Sequence, residues 1–202
     1  MSKKDLSLSL CVLLLGGCAL ALRGDVVEYE RDGIPQGSYR IFVTSDQFSG
    51  DLGGRSGADQ KCAASASAAG LKLEYLAVLG IDGAGSESRF SSAAAIYIMN
   101  DSATRVLVTS DKANFFKDSP GLSSAPKYDE FGRSSVQTTW TGGYGTSPAG
   151  KCLDWASSSA AQQGQHGSSG AKNAPATWIL VGQVTCDELH PIYCMAYSPV
   201  LD

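Results

Sequence analysis

The apolar residues of the chain fall into short runs of six or seven, separated by stretches dominated by Gly, Ser, Asn, Asp and Pro. Four runs come early: "YRIFVT" (Tyr39–Thr44), "YLAVLGI" (Tyr75–Ile81), "AAIYIM" (Ala94–Met99) and "TRVLVT" (Thr104–Thr109). Two come late, "TWILVG" (Thr177–Gly182) and "PIYCMAY" (Pro191–Tyr197). Their richness in Val, Ile and Tyr, and the turn residues that bound them, predict β-strands. The third and fourth runs predict a hairpin around Asn100-Asp101-Ser102, whose side chains favour a turn.

A different pattern follows the first strand. "SGDLGGRSGADQKCAASASAAGL" (Ser49–Leu71) opens with glycines and continues into an alanine-rich stretch, which predicts a turn and then a helix. Ser56 and Asp59 stand three apart, the spacing of a capping box, and a carboxylate in a first turn suits the helix dipole. Cys62, Ala66 and Ala69 share one face of that helix, small enough for close packing. The helix pattern does not say which cysteine Cys62 is joined to. Strand, glycine loop and helix is also the layout of a phosphate-binding loop. Here Gly57 is followed by Ala58 and Asp59, so the Lys and hydroxyl that meet phosphate and Mg²⁺ are missing. Gly50, Gly53, Gly54 and Gly57 do not form a dinucleotide fingerprint either.

Between the early and late strands, roughly residues 110 to 172, the chain is dense in Gly, Ser, Pro and Thr. Phe115, Phe116, Tyr128, Phe131, Trp140, Tyr144 and Trp155 lie within it, too many large aromatics for a disordered linker. The expectation is ordered long loops with little regular structure. Large aromatics usually anchor a core, so Trp140, Trp155 and Trp178 are read as anchors. Trp140, followed by Gly142-Gly143-Tyr144, is the one that a binding surface would use.

The N-terminus changes the picture. In "MSKKDLSLSLCVLLLGGC", Lys3 and Lys4 form a charged region, and Leu6–Leu15 is an apolar run too short to span a bilayer. Leu-Gly-Gly-Cys then resembles a bacterial lipobox, with Cys18 as the lipidated residue. Ala19-Leu20-Ala21 offers an ordinary cleavage site as the rival; the lipobox is the more specific signal. Residues 1–17 are therefore read as a lipoprotein signal peptide, 18–37 as a lipid-anchored tether, and 38–202 as one binding domain. Arg23-Gly24-Asp25 spells an integrin tripeptide, read as chance within the tether composition.

The whole chain has 202 residues, 43% of them hydrophobic and 18% charged, with a formal charge of −4 and a pI of about 5.1. An acidic chain without a basic stripe is not expected to bind nucleic acid. Cys11 leaves with the leader and Cys18 takes the lipid, so Cys62, Cys152, Cys186 and Cys194 remain. An even number in an exported chain predicts two disulfides. Zinc is not expected, because no C-x-x-C pair is present and the only histidines are His166 and His190.

The order of strand, helix, strands, long loops with one cysteine, and two closing strands with a cysteine each resembles the C-type-lectin-like and endostatin group. The blocks "IFVTSDQFSGDLGGRSGADQKCAASASAAGL", "WTGGYG", "CLDWASSS" and "IYCMAY", behind a lipoprotein leader, resemble the bacterial endostatin-like domain of the leptospiral endostatin-like surface lipoproteins. The match covers about residues 40 to 197. It implies an α+β fold with a mostly antiparallel sheet, one or two helices and long irregular loops. It also implies that Cys62 pairs with Cys194 and Cys152 with Cys186. On function it implies an outer-membrane, cell-surface adhesin. The implied partners are host laminin and fibronectin, plasminogen, and complement regulators such as factor H, with binding expected through the loops between 110 and 172.

Candidate chemistry is sparse. The calcium motifs of sugar-binding lectins are missing. The nearest oxygen ligands are Asp129 and Glu130 before Phe131, and Asp154 in "CLDW"; six to eight oxygens would have to converge. Asp154, set between Leu153 and Trp155, is expected to bond loop backbone instead. His166 lies in the flexible-looking "QQGQHGSSG", and His190 precedes Pro191. No G-x-S-x-G nucleophile motif appears. Neither an enzyme nor a cofactor is expected. A calcium-independent carbohydrate-binding module and a secreted or periplasmic hydrolase are the alternatives. Arg55, Lys61 and Lys72 flank the helix and read as a solvated face. The ligand-binding residues themselves stay unassigned.

Overall fold

The computed structural model describes residues 32–117, 120–143, 150–173 and 175–200. The expected signal peptide, Cys18, the Arg-Gly-Asp tripeptide and Tyr144 lie outside the described residues. The fold is mixed α+β with two sheets. The larger has five strands in the order β2-β8-β1-β3-β4: β1 Ser38–Val43, β2 Leu76–Ala77, β3 Ile96–Met99, β4 Arg105–Thr109 and β8 Tyr193–Ser198. β1 and β3 run parallel, and the other neighbours run antiparallel. The smaller sheet is β5 Thr138–Trp140, β6 Gln163–Ser168 and β7 Gly182–Thr185, in that order and antiparallel.

Side-chain alternation divides the larger sheet between two cores. Tyr39, Ile41 and Val43 of β1, with Tyr193 and Met195 of β8, face a core that holds Ile96, Phe115, Trp178 and Ile179. Phe42 of β1, with Cys194 and Ala196 of β8, faces the other core, which holds Ala58, Cys62, Trp140, Trp155 and the second disulfide. All six residues of β1 are buried, as a strand covered on both faces requires.

The second core is roofed by helix α1, Gly54–Ala68. Its buried residues are Ala58, Cys62, Ser65 and Ala66, small enough to bring the helix close to the sheet. Cys62 is joined to Cys194 of β8 with Cα atoms 5.5 Å apart. This is the pairing that the resemblance implies. The capping box is not formed. The helix begins earlier than Ser56, with Gly53 at the N-cap in the left-handed region and no side-chain cap. Ser56 and Asp59 thus sit inside the helix, where Asp59 takes another task. Its carboxylate forms two bonds with Arg89, at 2.7 and 2.6 Å, and accepts the Ala77 N–H at 2.9 Å. Gly57 is demanded by contact: a Cβ there would lie 2.1 Å from the Leu52 carbonyl.

Other expectations are corrected. The folded part begins no later than Asp32, which sequence reading had placed in the tether. Ile34 is fully buried, and the Asp32 carboxylate accepts the N–H groups of Lys72 and Leu73. The expected strand Tyr75–Ile81 is paired only at Leu76–Ala77, because Gly80 leaves the sheet to meet Thr141 and Trp155. "TWILVG" is not a strand. Trp178 and Ile179 are fully buried in a turn that covers the first core. A continuous apolar run serves such a lid as well as it serves a strand. The region 110 to 172 also holds more regular structure than expected: β5, β6, and the single turns α2 Lys112–Phe115 and α3 Cys152–Trp155. The hairpin is present, with Asn100 Oδ1 accepting the N–H groups of Ser102 and Thr104. No described helix is long and apolar enough to cross a membrane.

The second disulfide, Cys152–Cys186, is nested inside the first, with sequence separations of 34 and 132. Loop-closure entropy assigns about 4 kcal/mol to the shorter loop and about 5 kcal/mol to the longer. Urea unfolding should therefore show a larger loss of stability for Cys62→Ala/Cys194→Ala than for Cys152→Ala/Cys186→Ala. The reverse order would mean that packing around the inner bond, rather than chain entropy, sets its contribution.

Candidate functional site

The loops between β4 and β8 must be fixed with few ladder hydrogen bonds, and three tryptophans supply much of the fixing. Each is fully buried, and each indole N–H donates to a main-chain carbonyl on a distant segment. Trp140 donates to Phe48 at 2.8 Å, Trp155 to Gly80 at 2.8 Å, and Trp178 to Phe115 at 2.7 Å. A buried indole needs such a partner, and the ring supplies apolar contact around it. Trp140 and Trp155 meet edge to face, with centroids 5.8 Å apart. Trp140 is therefore a core anchor and not part of the surface.

Beside them lies a feature that the sequence reading did not foresee. Cys152, Leu153, Asp154 and Trp155 have φ angles of 47°, 53°, 54° and 66°, so α3 is a left-handed turn of four non-glycine residues. That conformation costs about 1–2 kcal/mol per residue and persists only where the surroundings impose it. The surroundings are on both sides. Cys152 is bonded to Cys186, and the Trp155 carbonyl accepts the Leu52 N–H at 2.9 Å. Three consecutive residues of another segment are gripped as well: Trp155 bonds the Gly80 carbonyl, the Lys151 ammonium bonds the Ile81 carbonyl, and Asp154 Oδ1 accepts the Asp82 N–H at 2.7 Å. Lys151 is buried, and burial holds its pKa below the ordinary lysine value against the pull of Asp82 and Asp154.

This clasp accounts for the "CLDW" motif. Asp154 bonds loop backbone, as expected, but its setting is not apolar, because the turn points Leu153 into solvent at 64% exposure. Glycines admit the disulfide. A Cβ at Gly50 or Gly164 would lie 2.3 or 2.8 Å from Cys152 Sγ. A polar cavity of about 400 Å³ opens next to the turn, lined by Asp82, Lys151, Asp154, Gln162, Gln163 and Gln183.

The remaining candidates are structural in their contacts. Asp129 accepts the N–H groups of Phe131 and Arg133 and the Arg133 guanidinium. Glu130 is buried and accepts the Ser45 N–H at 2.9 Å and its hydroxyl at 2.5 Å. Among the described residues, no three His, Cys, Asp or Glu side chains come together as metal ligands. Lys61 lies over the Phe48 ring at 4.8 Å, the Arg55 guanidinium donates to the Leu79 carbonyl, and Lys72 is exposed.

The two histidines, far apart in sequence, stack with centroids 6.2 Å apart. His166 is not in a flexible loop but in β6, paired with Trp140 and Gly182. His190 packs against Trp140 at 4.6 Å, with Nε2 3.4 Å from Glu188 Oε2. No described nucleophile bonds to either ring. No family model matches the chain, and no curated protein sequence matches it.

Burial lowers the His190 pKa, and the opposing effect of Glu188 does not restore it. The fold therefore favours the neutral ring. As pH falls through the ordinary histidine value of about 6.5, the unfolded chain takes the proton first and stability is lost. Melting curves should show a smaller drop in Tm from pH 7.5 to 5.5 for His190→Phe than for the native chain. Equal drops would show that His190 does not contribute to the acid sensitivity.

Proposed function

We propose that this chain is a lipid-anchored surface lipoprotein of the bacterial outer membrane, with a C-type-lectin-like domain of the endostatin-like kind that acts as a non-catalytic adhesin. Its partners are host laminin and fibronectin, plasminogen, and complement regulators such as factor H. The observation that carries this reading is the set of long loops between β4 and β8, pinned by three buried indoles and a clasped disulfide. Loops held in one shape lose little entropy on binding, which favours recognition by a preformed surface. The nested disulfides and the helix joined to the closing strand support the lectin-like assignment. Large apolar side chains exposed within the loops, Phe131, Val136 and Leu153, suit contact with a protein.

The anchor is tested separately. Burial of acyl chains contributes about 0.8 kcal/mol per CH₂, and stable anchoring takes more than one signal. Cys18→Ala should move the protein from the detergent phase to the aqueous phase in Triton X-114 partition. An unchanged partition, or a native N-terminus at Leu22, rejects the lipoprotein reading.

Binding is tested on the oxidised mature domain immobilised against laminin, fibronectin, plasminogen and factor H. We expect saturable binding to at least one of them. Reduction should abolish it, and EDTA should leave it intact, because no calcium motif is present. Binding no better than that of an unrelated lipoprotein rejects the adhesin. Loss of binding on chelation rejects the metal-independent mechanism.

A further inference from the structure

A cavity of about 560 Å³ lies beside β4. Val106, Tyr128, Val136 and Ala171 give it apolar walls, while Lys127 and Lys172 line it with no carboxylate among the described lining residues. That charge pattern runs against the chain as a whole, which carries −4. Neither lysine has an ion pair among the described residues, and the Lys127 ammonium lies 5.5 Å from the Tyr128 ring centre. Asp129, two residues from Lys127, is paired with Arg133 at 2.7 Å. Val136 is 63% exposed, and its methyl groups occupy the space that a side chain at Gly170 would fill.

The walls are fixed from behind. Leu122 donates its N–H to the Lys172 carbonyl at 2.7 Å, and Ser123 donates to Val108 of β4 at 2.8 Å. Ser169 Oγ accepts the Gln137 N–H at 2.8 Å. The groove is thus a preformed shape with apolar walls and a cationic lining.

We propose that this groove binds an acidic, extended segment of a protein partner. One aliphatic side chain lies between Tyr128 and Val136, and carboxylates on either side of it meet Lys127 and Lys172. Opposite charge selects the segment and steers it in, while the apolar contact supplies the area. This inference deepens the adhesin reading and rests on it only for the statement that the partner is a protein.

The test uses a probe of that chemistry, an acetylated, fluorescently labelled pentapeptide with a central leucine between pairs of glutamates. The control has glutamines in their place. The full oxidised domain should bind the glutamate peptide saturably. The glutamine peptide should bind about tenfold more weakly, a difference of about 1.4 kcal/mol. Lys127→Glu/Lys172→Glu should abolish binding, and Val136→Asp should weaken it, with far-ultraviolet circular dichroism unchanged in both, since Lys172 and Val136 are exposed and Lys127 is half-buried. Equal binding of the two peptides, no binding, or full binding by the double variant overturns the proposal. Displacement by inorganic phosphate at equal concentration also overturns it, since the site would then be one for a small anion. The same variants separate this proposal from the adhesin reading. If a host protein binds native and Lys127→Glu/Lys172→Glu domains equally, the groove proposal fails and the adhesin stands. If the peptide binds as expected but no host protein does, the adhesin fails and the groove stands.

Discussion

The junction between the loops and the larger sheet depends on the grip of one turn on one short segment. Trp155, Lys151 and Asp154 hold Gly80, Ile81 and Asp82 in sequence order, and Cys152 is tied to Cys186 behind them. Gly80 to Asp82 leads out of β2, and Cys186 directly follows β7, so the grip connects the larger sheet to the smaller one. Four residues are forced into left-handed backbone to make these bonds. Strain of that size persists only when several independent interactions agree, and here a covalent bond, a buried indole, a buried ammonium and a carboxylate all do. Glycine at positions 50 and 164 is what lets the sulfur atoms in.

Part of this was legible in the sequence. Runs of Val, Ile and Tyr marked β1, β3, β4 and β8, because those strands pair with one another and are bounded by turn residues. The helix was legible from its alanines, and its buried face from the position of Cys62. The carboxylates were harder to place. Asp59 looked like a cap, but its partners Arg89 and Ala77 lie well down the chain, and nothing local announces them. "TWILVG" misled because burial, not pairing, sets an apolar run, and Trp178 is buried under a lid. β6, "QGQHGS", carries no strand pattern at all; its glycines are chosen by close approach to Trp140, Cys152 and Trp178. The left-handed turn had little sequence signal, since Asp154 alone of its four residues is of a type enriched in that backbone.

For recognition, the consequence is a surface prepared in advance. Tryptophans that face inward fix the loops, which leaves smaller apolar side chains and lysines to face outward. The cationic groove beside β4 and the exposed Leu153 on the strained turn lie on loops tied to the same two cores. On the proposed reading, a local positive groove on an acidic protein would discriminate by charge, and its walls by shape.

The claim at the centre of this account is that the clasp, through its disulfide, keeps the loops in one conformation. Hydrogen exchange of the native domain beside Cys152→Ala/Cys186→Ala measures it most directly. The account predicts that amides of residues 138–142 and 163–168 lose protection by orders of magnitude while those of β1 and β8, still joined to α1 through Cys62–Cys194, keep theirs. Unchanged protection in the loops, or an equal loss across both sheets, would contradict it.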